Sequence, residues 1–328
     1  AALRDAGELG AGDRVERLEQ LLGGWSRHSF RAEAVTASGA ARRYVVRVKP
    51  PGALLDTDLA LEFRVHQALQ PEDIATPCVY HLDESDDTPF GGPFFVMDHI
   101  EGRAPNMFKA DERAWLEEDW RGRRGIAEDM VVNLAGIHTL PRERQPAIVP
   151  QLNFADVVER WRAVYEDKRL VRDPVIEEAY DWLGEQTPEG TRDGLVHGDY
   201  RVGNTLIADA RVRAILDWEL TYRGDVRFDL GYLVLDRMAG KHLRTRGPLM
   251  GSFAEEGWFL DRYAQLTGEP VDRASLRPFE MLAIMMLLAT QITAVWMYKH
   301  GHTADFRMAW SRYSFAGLRQ DMVRLMRW

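Results

Sequence analysis

The segment from residue 195 to residue 229 concentrates side chains that could hold a cation and orient a hydroxyl group. Asp199 is followed five positions later by Asn204, and Asp217 comes 13 positions after Asn204. Mg²⁺ binds oxygen ligands and needs only one or two carboxylates besides waters and phosphate oxygens. A further carboxylate beside such a cation could accept the proton of a hydroxyl group. The residue types therefore indicate phosphoryl transfer from a metal-bound nucleotide.

Two short apolar runs lie between Asn204 and Asp217 and predict two strands. A turn at Asp209-Ala210 would join them into a hairpin, which returns Asp217 to the side of Asn204. One cation could then contact both residues. The spacing from Asp199 to Asn204 is that of the kinase catalytic loop, in which the aspartate is the base and the asparagine a metal ligand. We predict Asp199 as the catalytic base and Asn204 and Asp217 as metal ligands.

The motif His197-Gly-Asp199-x4-Asn204, followed by Asp217-Trp-Glu, resembles the aminoglycoside-phosphotransferase and choline-kinase-like superfamily. The later run Gly-Asp-Val-Arg-Phe-Asp229-Leu also matches that superfamily, whose members are relatives of protein kinases. More closely, HGDYRVGNTLI and ILDWELTYRGD are similar to the phosphotransferase-like domain that is fused to acyl-CoA dehydrogenases. The resemblance extends from about residue 23 to residue 229.

The resemblance implies an α+β, bilobal, protein-kinase-like fold that binds ATP and Mg²⁺. We expect a small, mainly antiparallel β N-lobe over residues 1–100 that binds the nucleotide. A larger helical C-lobe over residues 101–328 would carry the catalytic and acceptor sites. A chain of 328 residues is long for one compact core, which also favours two lobes.

Three further residues of the motif are predicted to support the catalytic loop. His197 props the loop in relatives, and Asp229 accepts hydrogen bonds from its backbone. Glu219 lies two residues after Asp217 and either orders this region or reaches a second metal through water. A zinc site at His197 and Asp199 is the rival interpretation, but no further His or Cys follows at ligand spacing.

A cation for the nucleotide phosphates is expected on the strand at residues 43–49. Arg47 and Lys49 alternate with valines and would share one face. The resemblance favours Arg47 as the phosphate-binding residue and leaves Lys49 as the alternative. Residues 58–70 predict a helix with Asp58 as its N-cap. Glu62 of this helix is expected to pair with the strand cation, unless it is a solvated surface residue.

The nucleotide is expected to meet the chain at two further places. A glycine turn near the N-terminus resembles the family's phosphate-covering loop, so Gly24 and Ser26 are predicted to contact the cofactor; an ordinary hairpin is the alternative. The apolar strand at residues 94–100 resembles the hinge between kinase lobes. There Met97 would face adenine, and the backbone groups of Asp98 and Ile100 would bond its edge.

Helical spacing of Val15, Leu18 and Leu21 predicts a short amphipathic helix at the N-terminus. The segment Met281–Met297 is apolar but short for a membrane span and contains Gln291, so we predict a buried helix instead. The single cysteine, Cys78, excludes an intramolecular disulfide, and we expect it to be packed inside the protein.

Composition restricts location and partners. A lone cysteine and the absence of a visible secretory signal fit a reducing, cytoplasmic compartment. The net charge of −9 argues against nucleic acid as a partner. We expect no membrane partner, and nothing in the sequence indicates an oligomeric state.

The leading hypothesis is a Mg²⁺- and ATP-dependent kinase that acts on a hydroxyl of a small molecule. An aminoglycoside would need a cluster of acidic side chains, whereas a hydroxyacyl metabolite would prefer apolar walls and some cations; we favour the second class or another metabolite. A catalytically silent pseudokinase is one alternative, although Asp199, Asn204 and Asp217 are all present. A protein Ser/Thr kinase is the other, but no A-P-E element follows Asp217.

Overall fold

A computed structural model of the chain describes residues 2–21, 26–107, 109–239 and 249–327. Within these ranges the fold is α+β, with most strands before residue 98 and most helices after it. A five-stranded sheet of order β1-β2-β3-β5-β4 forms the N-terminal part, and all of its neighbouring strands are antiparallel. Its strands are Arg14–Leu21 (β1), His28–Val35 (β2), Ala41–Val48 (β3), Val79–Asp83 (β4) and Phe94–Asp98 (β5).

The predicted N-terminal amphipathic helix is wrong: its residues form β1, and among the described residues before β1 the only helix is Ala2–Asp5 (α1). The pairing of β1 with β2 is irregular between Val15 and Arg17, so that Val15 lies opposite Ala34 and Leu18 opposite Ala32. A bulge of this kind places residues three apart on one face of a strand. The helix-like spacing of Val15 and Leu18 thus arises from a strand with one extra residue, whereas Leu21 follows Leu18 in regular register on the other face.

One face of the sheet packs against the helix that follows β3. This helix, Leu59–Leu69 (α2), begins as predicted at Asp58, whose carboxylate accepts a hydrogen bond from the backbone N–H of Ala60 at 2.9 Å. The Phe63 ring of α2 lies 5.8 Å from the Phe95 ring of β5. Arg47 of β3 is paired with Phe95 in register, so its side chain projects on the face that α2 covers.

Cys78 is exposed, which corrects the expectation that it is packed. It immediately precedes β4, where Pro77 and Val79 on either side are buried. Because successive residues of an extended chain point to opposite faces, the burial of its two neighbours turns Cys78 outward.

The remainder of the described chain is mainly helical and surrounds a large apolar core. The helical stretch Arg273–Lys299, which contains the longest described helix, is long and apolar enough to cross a membrane by length and composition alone, but 67% of its most apolar window is buried inside the protein. Core helices of globular proteins share these properties. The helices are Ala110–Arg121 (α3), Gly125–His138 (α4), Phe154–Lys168 (α5), Pro174–Gly184 (α6), Arg227–Leu233 (α7), Glu256–Thr267 (α8), Arg277–Lys299 (α9), Phe306–Trp310 (α10) and Phe315–Arg327 (α11).

Two small strand pairs carry the motif residues. Asp193–Val196 (β6) pairs with Tyr222–Asp225 (β9), and Thr205–Ala208 (β7) pairs with Arg211–Ile215 (β8). The predicted hairpin is confirmed: Asp209 and Ala210 both have positive φ, at 53° and 56°. Two successive residues of this kind form the tight turn whose twist matches antiparallel strands.

Candidate active site

The β7–β8 hairpin brings Asn204 and Asp217 together. Thr205 and Ile215 are paired across the hairpin, and the Leu216 N–H donates to the carbonyl oxygen of Asn204 at 2.8 Å. Asp217 follows directly, in a left-handed conformation with φ of 72°. A non-glycine residue held in this conformation is uncommon and marks a constrained turn. The turn fixes Asp217 at the open end of the hairpin, beside Asn204.

The Asp199 carboxylate is surrounded by three donors, and with them it forms the Asp199 cluster. The Asn204 amide donates to Oδ2 at 2.7 Å, and the Tyr232 hydroxyl donates to Oδ1 at 2.5 Å. Arg201 Nε lies 3.1 and 3.2 Å from the two oxygens. Together these bonds fix the rotamer of Asp199. The members of the Asp199 cluster are Asp199, Arg201, Asn204 and Tyr232.

Sequence reasoning missed Arg201 and Tyr232. Arg201 could have been found, because it stands two residues after Asp199 in the same loop. Tyr232 lies on α7, 33 positions later, and nothing local connects it with the loop. Contact with the Asp199 carboxylate and burial both raise the pKa of Tyr232 well above its usual value, burial being the larger cause. The phenol therefore stays protonated and remains a donor.

Asp229 lies beneath the loop and is fully buried. Its carboxylate accepts hydrogen bonds from the backbone N–H groups of His197 at 2.7 Å and Gly198 at 2.9 Å. His138 of α4 is a third partner, with Nε2 3.1 Å from Oδ2. The contact with His138, whose other ring nitrogen meets the Tyr263 hydroxyl at 2.7 Å, was not anticipated. Asp229 thus ties the loop to two helices.

His197 supports the loop as a neutral ring. Its Nε2 lies 3.1 Å from the carbonyl oxygen of Leu216, to which it must donate, while Nδ1 accepts from the Asp199 N–H at 3.2 Å. This pair of bonds defines one tautomer. Burial lowers the pKa of His197 in spite of the nearby carboxylates. The ring links Asp199 to the residue before Asp217.

Arg47, which lies on β3, contacts two carboxylates. Its Nε lies 2.5 Å from Glu62 Oε1, and Nη2 lies 2.5 Å from Asp217 Oδ1. Lys49 turns away: its ammonium group pairs with exposed Asp56 at 2.8 Å. Of the two candidate cations on this strand, Arg47 is the one that lies beside Asp217.

A second arginine, Arg27, occupies the space behind Glu62. Its Nη2 donates to Thr57 Oγ1 at 2.6 Å and to the Thr57 carbonyl oxygen at 3.2 Å. Glu219 Oε2 lies 3.5 Å from the same nitrogen. No local pattern in the sequence indicates this residue. We call the resulting group the arginine cluster; its members are Arg27, Arg47, Glu62, Asp217 and Glu219.

The carboxylates of the arginine cluster differ in their tendency to ionise. For Asp217, burial opposes ionisation, but the adjacent Arg47 and Arg201 outweigh it and lower the pKa. For Glu219, burial and the neighbouring Asp217 charge raise the pKa to about 7. Burial also raises the pKa of Glu62. Asp217 is therefore the carboxylate most ready to bind a cation.

Asn204 and Asp217 offer a donor set that suits Mg²⁺. Asn204 Nδ2 is committed to Asp199, which leaves its amide oxygen as the ligand atom, and Asp217 supplies an ionised carboxylate. In the described ranges, no group of three or more His, Cys, Asp or Glu side chains could hold a metal by itself. Two side-chain oxygens completed by phosphate and water are what Mg²⁺ requires.

The predicted hinge ends β5. Met97 is buried on the same face as Phe95, toward α2. The Asp98 N–H donates to the carbonyl oxygen of Cys78 at 2.9 Å, and the His99 N–H donates to that of Arg43 at 3.2 Å. Within the described part of the chain, the N–H of Ile100 has no hydrogen-bond partner. It is the first amide after β5 that is available to a ligand.

The predicted phosphate-covering loop is described in part. Gly24 lies outside the described residues, and Ser26 is half-buried, with its carbonyl oxygen 3.4 Å from Arg27 Nη1. The contacts of the Ser26 hydroxyl with a cofactor stay a prediction.

A sequence profile of the family described as "Phosphotransferase enzyme family" matches residues 17–279. Acyl-CoA dehydrogenase family member 10 of Mus musculus is 30% identical over 229 residues, which cover 66% of this chain and 20% of that protein. The match thus spans about a fifth of the mouse protein. The chain belongs to the phosphotransferase enzyme family.

Solved structures show the same fold. A putative aminoglycoside phosphotransferase from Ralstonia eutropha has a TM-score of 0.76 at 23% identity, over 98% of this chain and 95% of that one. A ternary complex of streptomycin, ATP and APH(2")-IIa has a TM-score of 0.56 at 17% identity, over 85% of this chain and 86% of that one. The predicted α+β, protein-kinase-like fold is confirmed.

Proposed function

We propose that the protein is a Mg²⁺- and ATP-dependent kinase that phosphorylates a hydroxyl group of a small molecule. The observation that carries this proposal is the convergence of Asp199, Asn204 and Asp217 at the open end of the β7–β8 hairpin, with Arg47 in contact with Asp217. These are the parts that phosphoryl transfer needs: a base, two metal ligands and a phosphate-binding cation.

Each part has an assigned task. Asn204 and Asp217 would hold Mg²⁺, which supplies charge neutralisation on the nucleotide phosphates. Arg47 would bind phosphate oxygens while Glu62 fixes its rotamer. The Ile100 N–H would bond the adenine edge beside Met97.

Asp199 would act on the acceptor. It accepts the proton of the attacking hydroxyl as the new oxygen–phosphorus bond forms and the bond to the β-phosphate oxygen breaks, which releases ADP. Arg201, Asn204 and Tyr232 hold this carboxylate in one orientation. Positioning dominates because the transition state of phosphoryl transfer has a loose character.

The acceptor class follows from the charge next to Asp199. The Arg201 side chain is 30% exposed and is ion-paired with Asp199, so it offsets the negative charge of Asp199 at the acceptor position. This pairing weakens the attraction of a polycationic aminoglycoside and suits a hydroxylated acid or acyl compound better. The similarity to an acyl-CoA dehydrogenase family member supports the same choice. We propose a hydroxyacyl-type metabolite as the acceptor, in the cytoplasm.

A thermal-shift titration with ATP and GTP, each with and without Mg²⁺, tests the nucleotide site. We expect ATP to raise the Tm more strongly with Mg²⁺ than without it, because a ligand that binds only the folded state stabilises that state. ADP release would then be followed with hydroxy acids, hydroxyacyl-CoA thioesters and aminoglycosides as acceptors. Nucleotide binding without transfer to any acceptor would indicate a pseudokinase, and transfer to protein Ser or Thr would refute the small-molecule assignment.

A further inference from the structure

Arg27 is a buried arginine that the proposed chemistry does not use. It is 2% exposed and lies at the start of β2, directly after the segment that contains Gly24 and Ser26. Its two hydrogen bonds to Thr57 fix the guanidinium against the loop before α2. A charged group is seldom buried so completely unless it is paired. The positive charge of Arg27 must therefore be paired with neighbouring carboxylates.

The two carboxylate oxygens of Glu62 face two different arginines. Oε1 lies 2.5 Å from Arg47 Nε, and Oε2 lies 3.9 Å from Arg27 Nε. Oε2 is buried and has no hydrogen-bond partner among the described residues. Arg27 is consequently the cation that faces the second oxygen of Glu62.

Glu219 depends on the same arginine. Its Oε2 lies 3.5 Å from Arg27 Nη2 and accepts a hydrogen bond from Thr57 Oγ1 at 3.1 Å. Thr57 thus bridges Arg27 and Glu219, and the two form one unit with the loop before α2. In the arginine cluster, Arg47 faces Glu62 and Asp217, whereas Arg27 faces Glu62 and Glu219.

The pairing of Arg47 and Arg27 with different carboxylates affects the stability of the cluster once a nucleotide binds. An Arg47 guanidinium that turns toward phosphate oxygens gives up part of its contact with the cluster carboxylates. A buried carboxylate that loses its cation carries a large desolvation cost. A second cation behind Glu62 lowers that cost, because Arg27 stays beside Glu62 and Glu219 whichever way Arg47 points.

We propose that Arg27 is a positioning residue of the nucleotide site, whose charge stays beside Glu62 and Glu219 so that Arg47 is free to bind phosphate. The inference rests on the proposed function, since it assumes that Arg47 binds nucleotide phosphates. Arg27 is too deeply buried to contact the nucleotide itself. Its effect must pass through Arg47 and depends on its charge.

Isothermal titration with Mg·ADP and with adenosine, taken to millimolar concentration, tests the role. Adenosine lacks the phosphates that Arg47 would bind. We expect Arg27→Gln, which keeps an amide donor for Thr57 but removes the charge, to weaken Mg·ADP binding about tenfold and adenosine binding less than about twofold. Arg27→Lys keeps the charge and should stay within about threefold of wild type for Mg·ADP. Arg31→Met, on the same strand and paired with Glu19 at the surface, is the control and should bind like wild type.

The outcomes separate the two proposals. Wild-type protein that binds no Mg·ADP would overturn the proposed function, and the role of Arg27 with it. Wild-type binding that Arg27→Gln leaves unchanged would overturn only the role of Arg27. Equal losses for Mg·ADP and adenosine, or an Arg27→Lys variant as weak as Arg27→Gln, would reduce Arg27 to a structural residue. If Arg27→Gln does not fold, Arg27→Gln/Glu219→Gln removes one charge of each sign, and its Mg·ADP affinity should fall below that of Glu219→Gln alone.

Discussion

The arginine cluster and the Asp199 cluster lie on either side of His197 and are built in different ways. The arginine cluster joins Arg27, which immediately precedes β2, with charged residues from β3, α2 and the turn after β8. The Asp199 cluster takes three of its four members from one loop, and only Tyr232 comes from elsewhere. The arginine cluster is a network of long-range ion pairs, whereas the Asp199 cluster is a local loop held by hydrogen bonds.

The difference separates two kinds of preorganisation. The Asp199 loop is fixed by backbone bonds to Asp229, so its geometry should change little when ligands bind. The arginine cluster holds three carboxylates against two arginines, and Asp217 is shared between Arg47 and any metal. It must rearrange when a nucleotide arrives. We therefore expect mutations of Asp199 and Tyr232 to affect turnover, and mutations in the arginine cluster to affect nucleotide affinity. Asn204 should affect both, because it bonds Asp199 and is a proposed metal ligand.

Asp199→Ala gives the largest expected effect and tests the first half of that expectation. Turnover should fall by at least about 100-fold, the usual contribution of a positioned proton acceptor. Mg·ATP affinity should stay within about twofold, because Asn204 keeps its bond to the Asp199 backbone carbonyl oxygen and its amide oxygen stays available to the metal. ADP release and Mg·ATP titration would be measured side by side. Asp193→Ala, a surface carboxylate near the start of the same segment, is the control; unchanged turnover in Asp199→Ala would remove this residue from the mechanism.

Asp229→Asn would break the link between the Asp199 loop and its support. The loss of a buried carboxylate that accepts two backbone N–H groups and faces His138 should lower the free energy of unfolding by about 3 kcal/mol. Denaturant unfolding measures this change. Turnover of the folded fraction should fall while Mg·ATP affinity is retained. A loss of affinity equal to the loss of turnover would show that the two clusters are not independent.

Asp217→Ala should produce the reverse pattern in the arginine cluster. Mg·ATP binding should weaken about tenfold, because a proposed metal ligand is lost. Metal-free ATP binding should not weaken, because the change also frees Arg47 from a competing carboxylate. Titrations with and without Mg²⁺ give the two affinities. Lys49→Ala, which removes a surface partner of Asp56, is the matched control and should leave both unchanged. Equal losses in the presence and absence of Mg²⁺ would contradict a metal role for Asp217.

Tyr232→Phe removes one hydroxyl from the Asp199 cluster and should reduce turnover about tenfold, the lower end of the value of one hydrogen bond to a charged group. The KM for ATP should not change. Tyr180→Phe removes an equally buried hydroxyl that bonds the Trp161 carbonyl oxygen, and it should leave turnover intact. If both variants lose the same activity, the hydroxyl of Tyr232 has no specific role at Asp199.

The smallest expected effect is a pH dependence of the protein's stability that arises from the arginine cluster. Glu219 has a pKa of about 7 in the folded protein against an ordinary value of 4.5, so the folded state binds more protons between these values. Its contribution to stability therefore falls as the pH rises from about 4.5 to 7. Glu219→Gln should remove this slope, whereas Glu62, whose pKa burial also raises, stays in both proteins. Tm measured from pH 5 to 8 would compare them, and parallel curves would refute the shift at Glu219.

Features that depend on neighbouring residues could be predicted from the sequence, whereas long-range contacts could not. The β7–β8 hairpin and the start of α2 were predicted correctly, because a turn and an N-cap depend on neighbouring residues. The fold class was correct because the motif resembles a known family. The N-terminal helix was wrong because a bulge in β1 reproduces helical spacing. Residues whose partners lie far along the chain, such as Tyr232 and His138, left no local signal.

The sequence by itself determined the candidate base, the candidate metal ligands and the fold class, since the motif from His197 to Asp229 places them at short, fixed spacings. Tertiary structure decided which strand cation faces Asp217, how the three donors hold Asp199, and that Arg27 stands behind Glu62. The physical reason is the range of the interactions. Turns, caps and hairpins form between residues close in sequence, whereas a buried ion pair forms between any two charges that packing of the whole chain excludes from water together.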